Sequence, residues 1–205
     1  MDGYAAVVLA GGAGRRMGGR DKTAIGVDGV SMRDRVLAAA SDAEPRVVVG
    51  GHEAVPEGVV FVREDPPGGG PVAAIEAGVA VLGGGHREVL LVAGDLPLLT
   101  PDAVGALRRA LPTADGALFV DGQGRRQLLC GVWQVEALRR RLREVAGSRD
   151  GRLAGASMRE LLGSLQVVEV SWTRAGPPPW FDCDTDDDLR RVREWLSAEK
   201  TEVTE

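Results

Sequence analysis

Three stretches of this chain, YAAVVLA (4–10), RVVVG (46–50) and EVLLVA (88–93), lack the apolar–polar alternation of a half-exposed strand. A strand that is apolar on both sides must be covered on both sides, and a parallel sheet between two helical layers does this. Other strand-like runs lie at 59–63, 115–120, 127–133 and 165–170. Helix-like segments fall between them at 31–42, 71–82, 101–110, 134–146, 156–163 and 185–197. The alternation predicts an α/β fold, one three-layer domain with a mainly parallel central sheet. No linker divides it, so the domain is expected over 1–197, with a polar tail at 198–205. Thr100 followed by Pro101, and Thr185 ahead of DDDL, have the chemistry of helix starts.

In such a sheet, ligands collect at the carboxyl ends of the strands. The first strand runs into LAGGAGRRMGGRDK (9–22), which holds five glycines, three arginines, an aspartate and a lysine. Glycines let backbone N–H groups come close to an anion, while Arg15, Arg16 and Lys22 can neutralise phosphates. Two common phosphate loops do not fit. Walker A needs glycine before its lysine, where Asp21 stands, and the dinucleotide fingerprint needs glycine where Met17 stands. The loop is therefore a phosphate loop of a third kind.

VVLAGGAGRRMGGRDK closely resembles the amino-terminal signature of the MobA-like nucleotidyltransferases. Three further stretches resemble that family's marks in the same order: GGGPVAAIEAG (68–78), VAGDLPLL (92–99) and FDCDTDDDL (181–189). The resemblance implies a Rossmann-like fold of the nucleotide-diphospho-sugar transferase type. It also implies transfer of a nucleotidyl group with release of pyrophosphate. On matching positions, Leu9, Ala10, Gly11 and Gly12 would wrap the base and phosphates, and Arg16 and Lys22 would hold the triphosphate. Asp65 would contact the nucleotide, Asp95 would bind Mg²⁺, and Asp182 and Asp184 would line the reaction centre, with a second metal role open to them. LAGG together with the Asp21–Lys22 pair resembles the guanylyl-transferring members, so GTP is the expected donor and molybdenum-bearing molybdopterin the expected acceptor. The product would pass to molybdoenzymes or cofactor-delivery proteins. A cytidylyltransferase of the same fold, and a nucleotide-binding regulator without turnover, are the competing readings. Departures from the family pattern lie at GVSM (29–32), Gly50–Gly51, QLLC (127–130) and ASMR (156–159).

Nucleotidyl transfer asks little of acids and bases, because its main obstacle is repulsion between anions, which cations and positioning overcome. Residues at alternate positions of an extended FDCD place Asp182 and Asp184 on one side, where a cation would relieve their repulsion. His52 and His86 stand alone in polar loops and read as solvated, and Cys130 and Cys183 read as reduced, buried thiols. The arginines of EALRRRLRE (136–144) read as a solvated helix face. A net charge of −5 argues against a nucleic-acid or polybasic membrane partner, and the layout implies a cytoplasmic protein.

Overall fold

The computed structural model describes residues 3–11, 22–51 and 54–202. Gly12, Arg16 and the rest of 12–21 lie outside the described residues, as does His52. Strand β1 (Tyr4–Leu9) is buried at every position. It pairs in parallel with β4 (Arg46–Val49) on one side and β6 (Glu88–Ala93) on the other. β5 (Val59–Val62) joins β4, also in parallel. Beyond β6 come β8 (Arg126–Gln134), β7 (Gly116–Val120) and β9 (Val167–Ser171). The order is β5-β4-β1-β6-β8-β7-β9. β8 runs antiparallel to both its neighbours, and the remaining pairings are parallel.

The unbroken apolar runs follow from two packed layers. Ala5, Val7 and Leu9 face one core with α2 (Pro71–Ala80), α4 (Val135–Gly147) and α5 (Met158–Leu162). Tyr4, Ala6 and Val8 face the other, with α1 (Met32–Ala39) and α3 (Pro101–Ala110). Thr100 caps α3 by accepting from Ala103 N at 3.2 Å, with Pro101 in the first turn, as its sequence predicts. Thr185 and Asp188 form a reciprocal cap at the start of the last helix, α6 (Asp186–Glu202), with Thr185 N donating to Asp188 Oδ2 at 3.0 Å and Asp188 N to Thr185 Oγ1 at 3.1 Å.

Two features differ from the sequence reading. GVDGVS forms a hairpin, β2 (Gly26–Val27) with β3 (Val30–Ser31), turned by Asp28 and Gly29 at φ 51° and 81°. Asp–Gly at positive φ suits a two-residue hairpin turn. Helix α6 continues to Glu202 instead of ending at 197, across Ala, Glu and Lys positions that favour helix. Its inner face, with Leu189 and Val192, packs on Val27, Met32, Leu98 and Cys183. No helix among the described residues is long and apolar enough to cross a membrane.

The last glycine of GGGPVAAIEAG has a packing reason. A Cβ on Gly78 would lie 2.5 Å from Val7 Cγ1 and 3.0 Å from Val49 Cγ2, so α2 rests directly on β1 and β4. Gly78→Val should lower stability by about 2 kcal/mol through overpacking. Gly84→Val, in open space, should stay within about 0.5 kcal/mol. Urea unfolding midpoints compare the two.

Candidate active site

Strand order reverses between β1 and β6, and the chain leaves their carboxyl ends in opposite directions. Leu9 stands level with Val49 and with Ala93, so three strand ends form one row. A cleft of about 730 Å³ opens above it, at the switch point where open α/β sheets bind ligands. Leu9, Ala10 and Gly11, expected at the nucleotide, line it together with Gly50 and Glu64.

Glycines make the close approaches here. Gly50 has φ 74°, and a Cβ on it would sit 2.8 Å from Gly11 Cα, so the first two strand ends touch backbone to backbone. Gly50, within the Gly50–Gly51 departure from the family pattern, has no room for a side chain. A Cβ on Gly94 would lie 3.3 Å from Leu9 O and 3.2 Å from Thr23 Cγ2, and Gly94 N donates to Leu9 O at 2.9 Å. The next residue is Asp95.

Asp95 is 9% exposed, and its Oδ1 is shielded from solvent. Its carbonyl accepts from Cys183 N at 3.1 Å, which fastens the chain before α6 to the end of β6. Asp95 lines the large cleft and also a second cavity of about 190 Å³, which it shares with Asp182, Gln127, Leu129 and Trp180. One carboxylate thus borders two spaces. Asp184 takes another place. It is half-buried and its N–H donates to Asp188 Oδ2 at 3.3 Å, within the start of α6.

Lys22 begins the 3₁₀ turn Lys22–Ala24, whose Thr23 lines the cleft. Asp65, expected at the nucleotide, is exposed and lines a separate cavity between α2 and α4, with Arg139 and Arg143. Of these two adjacent acids it is Glu64 that lines the cleft, and its Oε1 accepts from Gly68 N at 3.0 Å. Adjacent residues of an extended chain point to opposite sides, so only one of the pair can face the cleft.

Cys130, on β8 beside the second cavity, is fully enclosed, and burial pushes its thiol up to about 12. It is protonated at neutral pH and is no nucleophile. The arginine-rich helix is tied down by its own chain. Arg139 donates to Gly83 O at 2.7 Å, and Arg141 reaches Glu160 O and Leu161 O at 2.7 and 3.1 Å. Arg149 pairs with Glu160 at 3.1 Å. Among the described residues, no group of three or more His, Cys, Asp or Glu is placed to hold a metal. Asp95 with Asp182 offers instead a sparse set of hard oxygen donors. That set fits Mg²⁺, which is commonly held by one or two carboxylates, with phosphate oxygens and water completing its shell.

Solved structures of similar shape superpose over nearly the whole chain. Molybdopterin-guanine dinucleotide biosynthesis protein A from Archaeoglobus fulgidus superposes with a TM-score of 0.69 at 22% identity, over 95% of this chain and 100% of that one. The 2-C-methyl-D-erythritol 4-phosphate cytidylyltransferase of Thermus thermophilus gives 0.70 at 18%, over 96% and 100%. These likenesses carry the fold, and the sequence carries the family. Residues 6–166 match the MobA-like NTP transferase domain. The molybdenum cofactor guanylyltransferases of Bradyrhizobium sp. (strain ORS 278) and Rhodobacter capsulatus are each 31% identical over 94% of this chain, covering 93% and 96% of their own lengths. The chain belongs to the MobA-like NTP transferase family.

Lys22 leads directly into the cleft wall, whereas Arg139 is engaged on α4 with Gly83 and Glu136. Lys22→Ala should weaken binding of a fluorescent GTP analogue about tenfold or more, the scale of one charge-assisted phosphate contact. Arg139→Ala should leave that binding within about twofold, as expected for a substitution away from the site. Equal small effects would remove the phosphate role of Lys22.

Proposed function

We propose that this chain is a cytoplasmic guanylyltransferase that moves GMP from GTP to the terminal phosphate of molybdenum-bearing molybdopterin. The observation that carries the reading is Asp95 on the border of two cavities. One is large enough for a nucleotide and walled by glycine-rich strand ends; the other opens on the β8 side. The names of the full-length relatives support the donor and the acceptor.

In the reaction, an oxygen of the acceptor phosphate forms a bond to the α-phosphorus of GTP. The bond from that phosphorus to the bridging oxygen breaks, and pyrophosphate leaves with the electron pair. The attacking oxygen is already anionic, so no protein base is required. Asp95, with Asp182 beside it, would hold Mg²⁺, which supplies charge neutralisation for the phosphates when bound. Lys22 and Arg16 offset charge gathering on the leaving pyrophosphate. The backbone of Leu9–Gly11 sets the position of the nucleotide, and Gly11 leaves open the space that a side chain would take from a purine. Asp95 Oδ1 is shielded from solvent, and away from bulk water charge interactions act more strongly.

Pyrophosphate release measured with GTP, CTP, ATP and UTP, each with Mg²⁺ and a phosphorylated pterin acceptor, tests the reading. GTP should exceed CTP by about tenfold or more in kcat/KM, a margin within reach of direct base contacts. A preference for CTP overturns the guanylyl assignment. Tight GTP binding with no pyrophosphate release from any pairing overturns the enzymatic one.

A further inference from the structure

One wall of the cleft is built of proline and glycine. Pro67, Gly68 and Gly70 line it just ahead of α2, and Gly68 and Gly70 stand at φ 76° and 92°. A segment of this composition has few side chains to anchor it, so its shape must be held from behind. Two bonds are local: Gly69 N donates to Pro66 O at 3.0 Å, and Gly68 N to Glu64 Oε1 at 3.0 Å. A third comes from far along the chain. Gly155 N donates to Gly69 O at 2.8 Å, and a Cβ on Gly69 would lie 3.0 Å from Ala73 Cβ and 3.5 Å from Ala154 Cβ. The loop between α4 and α5 therefore lies directly against the back of this wall.

That loop is shaped by one guanidinium. Arg149 donates through Nε to Arg152 O at 3.3 Å and through Nη2 to Ala154 O at 3.2 Å. Its Nη1 bonds Glu160 Oε1 at 3.1 Å, and Glu160 Oε2 accepts from Ser157 N at 2.7 Å in the cap of α5. A rigid fork of donors reaches three acceptors at once, which the point charge of a lysine does not match. We propose that Arg149 is a positioning residue for the nucleotide. Through Ala154 and Gly155 it fixes Gly69, and so sets where the 67–70 wall stands. The proposal rests on the nucleotidyl-transfer reading of the cleft and adds a residue outside the cleft lining.

The wall meets the nucleoside part of the ligand, away from the phosphates. Lys22 opens the turn that carries Thr23, and Thr23 Cγ2 is the neighbour of Gly94, one residue before Asp95. The phosphate-binding end thus lies at β6. The 67–70 wall stands on the other side, because it leads from β5 into α2, which rests on β1 and β4. A nucleotide with its phosphates at β6 lays its nucleoside toward this wall. Slackening the wall therefore removes contacts from the nucleoside and leaves the phosphates held.

Calorimetry with two ligands, a non-hydrolysable GTP analogue and inorganic triphosphate, each with Mg²⁺, separates this role from a general loss of structure. Arg149→Met should weaken the GTP analogue about tenfold, the scale of a lost charge-assisted bond, and leave triphosphate within about twofold. Glu160→Gln keeps both loop carbonyl bonds of Arg149 and should stay within about twofold for both ligands, as expected of an ion pair open to solvent. Gly69→Ala, which presses on Ala73 and Pro66 without touching Arg149, should show the same split as Arg149→Met. An unchanged affinity for the GTP analogue in Gly69→Ala overturns the route through Gly69. If Arg149→Met binds the GTP analogue like the unchanged protein, or weakens both ligands alike, Arg149 does not position the nucleotide. A preference of the unchanged protein for a CTP analogue overturns the guanylyl reading alone, because the same comparison with that analogue still decides the role of Arg149.

Discussion

Everything at the site depends on β1 being paired on both sides by parallel strands. A strand with no exposed residue and two parallel neighbours has its carboxyl end in the middle of the sheet, level with theirs. The chain must then turn away from the sheet in opposite directions after β1 and β6. The gap between the two turns is the cleft, and no side chain needs to be spent on making it. Glycine decides how tightly the turns can sit. At Gly50 and Gly94 the neighbouring backbones come so close that a Cβ would press on Gly11 or on Leu9. The floor of the cleft is therefore main chain, a surface on which an anion can approach backbone N–H groups closely.

Asp95 takes its position from this floor. Gly94 ties it to β1 through the bond to Leu9, and Cys183 ties it to the segment before α6. A carboxylate held from both sides along the backbone loses little freedom when it takes up a cation, which favours a preorganised metal position. The same two ties explain why the second cavity begins there. The segment that reaches Asp95 from β9 carries Trp180 and Asp182, so the nucleotide side and the opposite side of the sheet edge share one acid. Burial of Cys130 beside that space keeps its thiol protonated, and the chemistry is left to charges and positioning.

Much of this was legible in the sequence, for physical reasons that can be named. Unbroken apolar runs identify doubly covered strands, and β1, β4 and β6 are such strands. Asp95 was legible through VAGDLPLL, which resembles the family's metal-binding strand end and sets the aspartate two residues past a buried strand. Strands β2 and β3 were not, since two residues carry no periodicity, although Asp28–Gly29 was a usable turn signal. The choice between Glu64 and Asp65 depends on how the chain rolls out of β5, which no local pattern records. Trp172 and Trp180 stand apart in the sequence and meet only through Phe119, on another strand. Asp182 and Asp184 were expected on one side of an extended FDCD, and the structure separates them. Only Asp182 reaches a cavity with Asp95, because Asp184 is drawn into the start of α6.

The central claim is that Asp95 holds the cation which lets two anions react. It is tested most directly by turnover of Asp95→Asn across a Mg²⁺ series, with melting temperature measured alongside. Asparagine keeps the size of the side chain and removes the charge that binds a hard cation. The melting temperature should stay close to that of the unchanged protein, while turnover falls by about a hundredfold or more, the scale of losing a key electrostatic group. Part of that loss should be recovered as Mg²⁺ rises. Near-normal turnover at limiting Mg²⁺ would contradict the claim and place the cation away from Asp95.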